Sequence, residues 1–147
     1  METLYKLLSD TQASLFVLFQ KTWVYHWNVV GDDFKQFHDL FGEQYEAVYG
    51  EIDRLTEHMR YLNIKPVPTL SRIVEVSHVR EADSSLDTMG MVRDLLHCHE
   101  IIIDLLNLVS EAAENQKYQK SKSTINLVDD LNEAHGKFIW MLRSFTQ

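Results

Sequence analysis

The sequence predicts an all-α fold: a four-helix bundle with a short helix in the long crossover between the second and third helices. Apolar residues recur at helical spacing over four long stretches, and polar segments separate those stretches. Only two prolines and five glycines are present, too few for a disordered chain or a turn-rich β-sandwich. The chain has 147 residues, 45% of them hydrophobic, so we expect a single domain over 1–147.

The first two predicted helices form a hairpin. The first ends near Asn28, and the second covers about 34–62. Gly31 is expected to stop the first helix, and Asp32 or Asp33 to cap the second. Because the connection is short, these helices should lie antiparallel.

The second half of the chain supplies the remaining helices. Two prolines end the second helix, and a short helix is expected over 70–78. The third long helix is predicted over 88–114 with Ser85 or Asp87 as its cap, and the last over 124–145.

Composition limits the function classes. The formal net charge of -8 disfavours nonspecific nucleic-acid binding and suits a cationic partner. No apolar run approaches the length of a membrane span, and the N-terminus does not resemble a signal peptide. A single cysteine, Cys98, cannot form an internal disulfide, so we expect a reducing cytoplasmic location.

Two histidines flank the predicted hairpin turn in the stretch YHWNVVGDDFKQFH. His26 lies five residues before Gly31 and His38 seven residues after it, so both are expected at one level on neighbouring helices. Neutral imidazole is a common ligand for iron, zinc and copper. A pair of structural histidines is the simpler interpretation, and the spacing alone leaves both open.

Two carboxylates share one face of the second predicted helix. Asp53 and Glu57 are four residues apart, beside an apolar stripe. A solvated acidic face near Arg54 and Arg60 is the simpler interpretation.

The separation of the two pairs constrains the architecture. Asp53 follows His38 by fifteen residues on one predicted helix, which is roughly 22 Å at the rise of an α-helix. Metal–ligand bonds are only about 2 Å long, so one ion cannot contact both pairs in one chain. Either the pairs are unrelated, or a two-fold axis brings the histidines of one copy to the carboxylates of another.

Other metal-like patterns carry less weight. The residues of 97–100, HCHE, point in different directions around a helix and cannot converge on one ion. Asp94 and His97 are at a spacing that allows them to pair. The one Glu-x-x-His pattern, Glu75 to His78, lies in the short crossover helix, which argues against a di-iron centre inside the bundle.

Taken together, the sequence resembles the Dps family, the dodecameric mini-ferritins, over nearly its whole length. The residues that carry the resemblance are His26-Trp27-Asn28, Gly31, Phe37-His38, Phe41, Tyr45, Asp53, Glu57, PVPTLSRIVEVSHVRE, MVRDLLHCHEIIIDLL and WMLRSF. The resemblance implies a ferritin-like four-helix bundle that assembles into a hollow homododecamer.

The resemblance also implies a function. His26 and His38 would be iron ligands from one subunit, and Asp53 and Glu57 iron ligands from a two-fold neighbour. The site would be a ferroxidase that oxidises Fe(II), with hydrogen peroxide as oxidant, and ferric mineral would be stored in the shell. Zinc would be able to replace iron there. Trp27 would either take up oxidising equivalents or act as a buried aromatic anchor.

One position departs from the family pattern. The family commonly has an acidic ligand four residues after the second histidine, and here that position is Gly42. Asp39 and Glu43 point about 100° to either side of it. Glycine within a helix costs about 1 kcal/mol relative to alanine, so a water or a close helix neighbour is expected to need the space. A cage with impaired ferroxidase activity is therefore one alternative.

The resemblance further implies acidic pores at three-fold axes, lined by the start of the last helix. Asp129, Asp130 and Glu133 are the pore residues it indicates, with a solvated helix face as the simpler interpretation.

A second alternative is a DNA-binding protection protein of starved cells. The chain shows no lysine-rich terminal tail of the kind with which many relatives bind DNA. Lys117, Lys120 and Lys122 form only a small basic loop, so DNA binding is not favoured.

Overall fold

A computed structural model of the chain describes residues 2–115 and 120–147, and its elements there are helices. These are α1 (Glu2–Asn28), α2 (Phe34–Tyr61), α3 (Leu70–Val76), α4 (Thr88–Asn115) and α5 (Ser121–Ser144). The long helix α1 packs against α2 and α4, and α4 packs against α5, while α3 lies against α1 in the crossover. This arrangement confirms the predicted four-helix bundle with its short crossover helix.

The core lies between the four long helices. Its large side chains recur every three or four residues along each helix, which is why these stretches are amphipathic helices. Fully buried examples are Leu8, Leu15, Leu18, Phe41, Leu55, Met59, Leu95, Ile102 and Leu106. Burying each such side chain contributes about 2 kcal/mol.

The turn between α1 and α2 depends on Gly31. Its φ is +108°, in the region that only glycine adopts readily, and it ends α1 as predicted. Asp33 occupies the cap position of α2, but its side chain makes no capping hydrogen bond. The first N–H of α2, that of Phe34, instead donates to the Gly31 carbonyl at 3.1 Å. The prediction was therefore right about the capping position and wrong about the side-chain cap.

The other helix starts also differ in detail from the predictions. Asp87 caps α4 by accepting from the Gly90 N–H at 2.8 Å, so Asp87 rather than Ser85 fills this role. Helix α5 begins at Ser121, three residues before the predicted start. The prediction missed these residues because they are polar and carry no apolar periodicity.

The predicted basic loop is correspondingly shorter. Lys122 lies within α5, and Lys117 lies outside the described residues. The Lys120 amine donates to the Tyr61 carbonyl at 2.7 Å and lies 4.2 Å from the centre of the Tyr61 ring. Lys120 therefore ties the start of α5 to the end of α2.

An ion pair between a buried lysine and a partly exposed aspartate joins α1 to α4. The Lys21 amine is 3.0 Å from the Asp94 carboxylate, and only 2% of the Lys21 side chain is exposed. The Tyr25 hydroxyl donates to the same carboxylate at 2.5 Å. Asp94 thus pairs across the bundle with Lys21, and not with His97, the partner that the sequence spacing allowed. Among the described residues, no helix has the length and apolarity needed to cross a membrane.

Candidate metal centre

The two histidines of the hairpin lie face to face. His26 is in the last turn of α1, and His38 is in the second turn of α2. Their ring centres are 3.8 Å apart, and the rings are within 17° of parallel. The predicted common level of these residues is therefore present in the structure.

Reciprocal hydrogen bonds hold both imidazoles. His26 Nδ1 lies 2.6 Å from the His38 carbonyl oxygen, and His38 Nδ1 lies 2.8 Å from the His26 carbonyl oxygen. A carbonyl oxygen only accepts, so each Nδ1 must carry the hydrogen and donate it. In the neutral ring this leaves the Nε2 lone pair free. A ring held through Nδ1 by a carbonyl, with Nε2 open, has the orientation that metal-ligating histidines usually adopt.

Two aromatic rings and one glycine lie against the histidine pair. Phe34 stacks on His38 with 4.9 Å between ring centres, and Tyr45 meets His26 edge-on at 5.2 Å. A Cβ atom at Gly42 would lie 3.1 Å from His26 Cε1 and 3.2 Å from its Nδ1. The His26 ring therefore occupies the space that a side chain at Gly42 would need.

The two carboxylates predicted as ligands are exposed on α2. Asp53 and Glu57 lie on one face of that helix, and neither belongs to an ion pair among the described residues. Arg54, between them, instead donates to Asp130 of α5 at 2.6 Å. Arg60 donates to the Ile64 carbonyl at 3.1 Å. Both carboxylates are therefore available to a ligand.

The structure does not bring the two pairs together within one chain. His38 and Asp53 lie on the single uninterrupted helix α2, so their separation stays at roughly 22 Å. Within 2–115 and 120–147, no three His, Cys, Asp or Glu side chains are placed to hold a metal ion together. Within one chain, each pair therefore offers only two potential ligands.

Trp27 and the predicted pore residues are exposed in the single chain. Trp27 has 55% of its surface exposed, so in one copy it is not a buried anchor, and its ring lies 4.7 Å from that of Trp23. Asp129, Asp130 and Glu133 lie on the outer face of α5.

A buried polar chain in the bundle centre was not predicted from the sequence. His135 Nε2 lies 2.6 Å from the Glu51 carboxylate, and His135 Nδ1 lies 2.7 Å from His99 Nδ1. His99 Nε2 is buried without a partner among the described residues. Burial lowers the pKa of His99 well below its ordinary value, with the nearby His135 adding to the effect. The available signal was that both histidines occupy core positions of apolar helix stripes, His135 between Leu131 and Ile139.

Comparisons with known proteins agree on one group. A family model described as Ferritin-like domain matches residues 5–147. The DNA protection during starvation protein of Helicobacter pylori is 30% identical over 95% of this chain and 96% of its own length. An uncharacterized low temperature-induced protein of Nostoc is 32% identical over 96% of this chain and 78% of its own length.

Solved structures have the same fold. Dps from Thermosynechococcus elongatus superimposes with a TM-score of 0.93, at 28% identity, over 99% of this chain and 91% of that one. A Dps protein of Vibrio cholerae O1, described as a member of a broad superfamily of ferritin-like diiron-carboxylate proteins, gives 0.92 at 25% identity, over 99% and 90% of the two chains.

Proposed function

Because this chain belongs to the Dps family of ferritin-like proteins, we propose that it oxidises Fe(II) and stores the ferric product inside a shell of identical subunits. The oxidation takes place at a site shared by two copies of the chain, with hydrogen peroxide as oxidant. The observation that carries this proposal is the histidine pair, whose two Nε2 lone pairs are freed by hydrogen bonds from Nδ1 to backbone carbonyls.

The donor set suits the proposed substrate. Two imidazole nitrogens from His26 and His38, with carboxylates from Asp53 and Glu57, are the donors typical of non-haem Fe(II) sites. Two carboxylates also favour the more highly charged Fe(III), which promotes oxidation. Zinc accepts the same donors and would compete with iron for the site.

A two-fold axis completes the ligand set. Antiparallel packing of α2 against α2 of a second copy places His38 of one chain near Asp53 of the other. The α1–α2 face between the histidine pair and the two carboxylates supports this arrangement. It presents Trp23, Trp27 and Tyr49, which are 37%, 55% and 64% exposed in the single chain. Exposed aromatic patches of this kind mark protein–protein interfaces, and a second copy would cover this one.

Gly42 limits each site to one firmly held iron. The neighbouring carboxylates do not replace the missing ligand, because Asp39 and Glu43 point about 100° to either side of the Gly42 position on α2. Asp39 also pairs with Lys35 at 2.8 Å on the exposed surface. Glu43 lines a different groove, beside Trp140. A second iron at the same site would depend on water ligands.

Storage requires assembly and an entry route. We place this chain in a dodecamer in the cytoplasm, with iron entering past Asp129, Asp130 and Glu133 of α5. Acidic clefts of this kind attract cations. Arg54 neutralises Asp130 in the single chain, so the other two side chains would carry most of the attraction.

Stopped-flow absorbance tests the oxidation. Fe(II) and peroxide are mixed with wild type, with His26→Ala/His38→Ala, and with His97→Ala, which removes an exposed histidine of α4. We expect rapid oxidation by wild type and His97→Ala, and only the protein-free rate with the double variant. Equal rates in all three proteins would refute the assigned site. A wild type no faster than the protein-free mixture would favour the impaired cage.

DNA protection is the second candidate, because several relatives carry that name. The described surface gives it little support, since Lys120 is already engaged with Tyr61. A gel shift at low and moderate salt separates the two. We expect no retardation at moderate salt, and clear retardation would favour DNA binding.

A further inference from the structure

A row of aromatic side chains leads away from the histidine pair. Tyr45 contacts His26 with 5.2 Å between ring centres, and Trp23 lies 5.7 Å from Tyr45. Phe19 follows, 5.4 Å from Trp23 and 5.5 Å from Tyr49. All four spacings are those of rings in direct contact.

The row ends beside Asp53, one of the two proposed carboxylate ligands of the same chain. Tyr49 and Asp53 are four residues apart on one face of α2, and both line the cleft that also contains Phe19. Under the proposed two-fold arrangement, His26 belongs to one iron site and Asp53 to the other. The aromatic row therefore spans the distance between the two sites of one pair.

We propose that Tyr45, Trp23 and Tyr49 form an electron relay that lets the two iron sites of a two-fold pair reduce one peroxide molecule together. This inference rests on the proposed function and extends it. Among the aromatic side chains, tyrosine and tryptophan are the most readily oxidised by one electron. Phe19 resists oxidation and serves as the packed bridge between Trp23 and Tyr49.

The reaction balances as follows. Fe(II) at the first site gives one electron to hydrogen peroxide, and Tyr45 gives one electron and its phenolic proton. With one proton from water, the O–O bond breaks and two water molecules form. Trp23 then reduces the Tyr45 radical, and Tyr49 reduces the Trp23 radical. Each ring regains its proton when it is reduced. Fe(II) at the second site reduces Tyr49, which takes up a proton from solvent. In total, two Fe(II), one peroxide and two protons give two Fe(III) and two water molecules.

A relay is needed because Gly42 leaves each site with one firmly held iron. Peroxide needs two electrons, and a site that holds one iron firmly supplies only one. A single electron would release hydroxyl radical beside His26. The relay takes the second electron from the partner site and avoids that product.

Three variants test the relay at limiting peroxide, with one Fe(II) per subunit. Trp23→Phe keeps the packing but removes the oxidisable ring, and Trp23→Tyr restores one. Trp140→Phe is the matched control, because Trp140 is exposed on α5 outside the row. Two quantities are measured: Fe(III) formed per peroxide, and the protein radical trapped by rapid freezing and detected by electron paramagnetic resonance with ring-deuterated tyrosine.

Wild type, Trp140→Phe and Trp23→Tyr should form two Fe(III) per peroxide with only a transient radical. Trp23→Phe should fall toward one Fe(III) per peroxide and retain a long-lived tyrosyl radical. A role in packing alone would be served equally well by phenylalanine, so two Fe(III) per peroxide and no stranded radical in Trp23→Phe would overturn the relay while leaving the proposed function intact. Wild-type protein that oxidises no Fe(II) would overturn both.

Discussion

Replacing Gly42 with alanine should have two opposing effects on stability: a gain from the helix backbone and a loss from displacing the His26 ring. Alanine in a helix interior normally gains about 1 kcal/mol over glycine. At Gly42 the new Cβ would lie 3.1 Å from His26 Cε1, so the imidazole must move. Moving it weakens the Nδ1 hydrogen bond to the His38 carbonyl, worth about 1 kcal/mol. An off-rotamer ring adds about 1 kcal/mol more. The net effect of Gly42→Ala should therefore be a loss of about 1 kcal/mol.

The matched control is Gly136→Ala in α5. No atom lies within 4 Å of a Cβ built there, so this variant should gain about 1 kcal/mol. The two variants should thus differ by about 2 kcal/mol, which corresponds to roughly 6 °C in melting temperature for a chain of this size.

The assay combines thermal unfolding of the assembled protein with Fe(II) titration. Gly42→Ala should melt below Gly136→Ala and bind Fe(II) more weakly than wild type, whereas Gly136→Ala should bind it normally. If Gly42→Ala were as stable as Gly136→Ala and bound Fe(II) like wild type, the assignment of the space at Gly42 to the His26 ring would be wrong.

Three further predictions concern the bundle interior. In a urea titration, Lys21→Met should destabilise the fold by about 3 kcal/mol, because it leaves the Asp94 carboxylate without its buried cation. The control Lys35→Met, at an exposed ion pair, should change the stability by less than about 0.5 kcal/mol. Because the pKa of His99 is lowered in the folded protein, the His99 imidazole takes up a proton in the unfolded chain at a higher pH than in the folded one. The free energy of unfolding should therefore be unaffected by this group above about pH 6.5 and fall below that pH by up to about 1.4 kcal/mol per pH unit. A urea midpoint that does not change between pH 6.5 and 5 would contradict this. Burial raises the pKa of the Cys98 thiol to about 11, so a thiol reagent at pH 8 should label it only after unfolding.

Helical periodicity predicted most of the fold because it records which residues face the core. It located α1, α2 and α4 closely, and it missed the first turn of α5, whose residues are polar. The distances from the hairpin turn placed His26 and His38 at one level, and helical spacing placed Asp53 and Glu57 on one face.

Contacts between distant segments could not be predicted in this way. The spacing allowed Asp94 to pair with His97, a near neighbour in the sequence, but its partner is Lys21 on another helix. The reciprocal hydrogen bonds of the histidine pair and the contact of His26 with Gly42 likewise depend on how α1 and α2 pack. A second copy of the chain, which the proposed site requires, leaves no direct trace in a single sequence beyond the length of helix that separates the two pairs.

Mixing two inactive variants tests the shared site most directly. One variant lacks the histidines (His26→Ala/His38→Ala), and the other lacks the carboxylates (Asp53→Asn/Glu57→Gln). In a mixed two-fold pair one site keeps all four ligands and the other keeps none, so random reassembly of equal amounts should restore about a quarter of the wild-type sites. Fe(II) oxidation by the unfolded and reassembled mixture should therefore recover to about that fraction, while each variant reassembled alone stays inactive. A mixture as inactive as its components would show that the two ligand pairs do not meet across subunits.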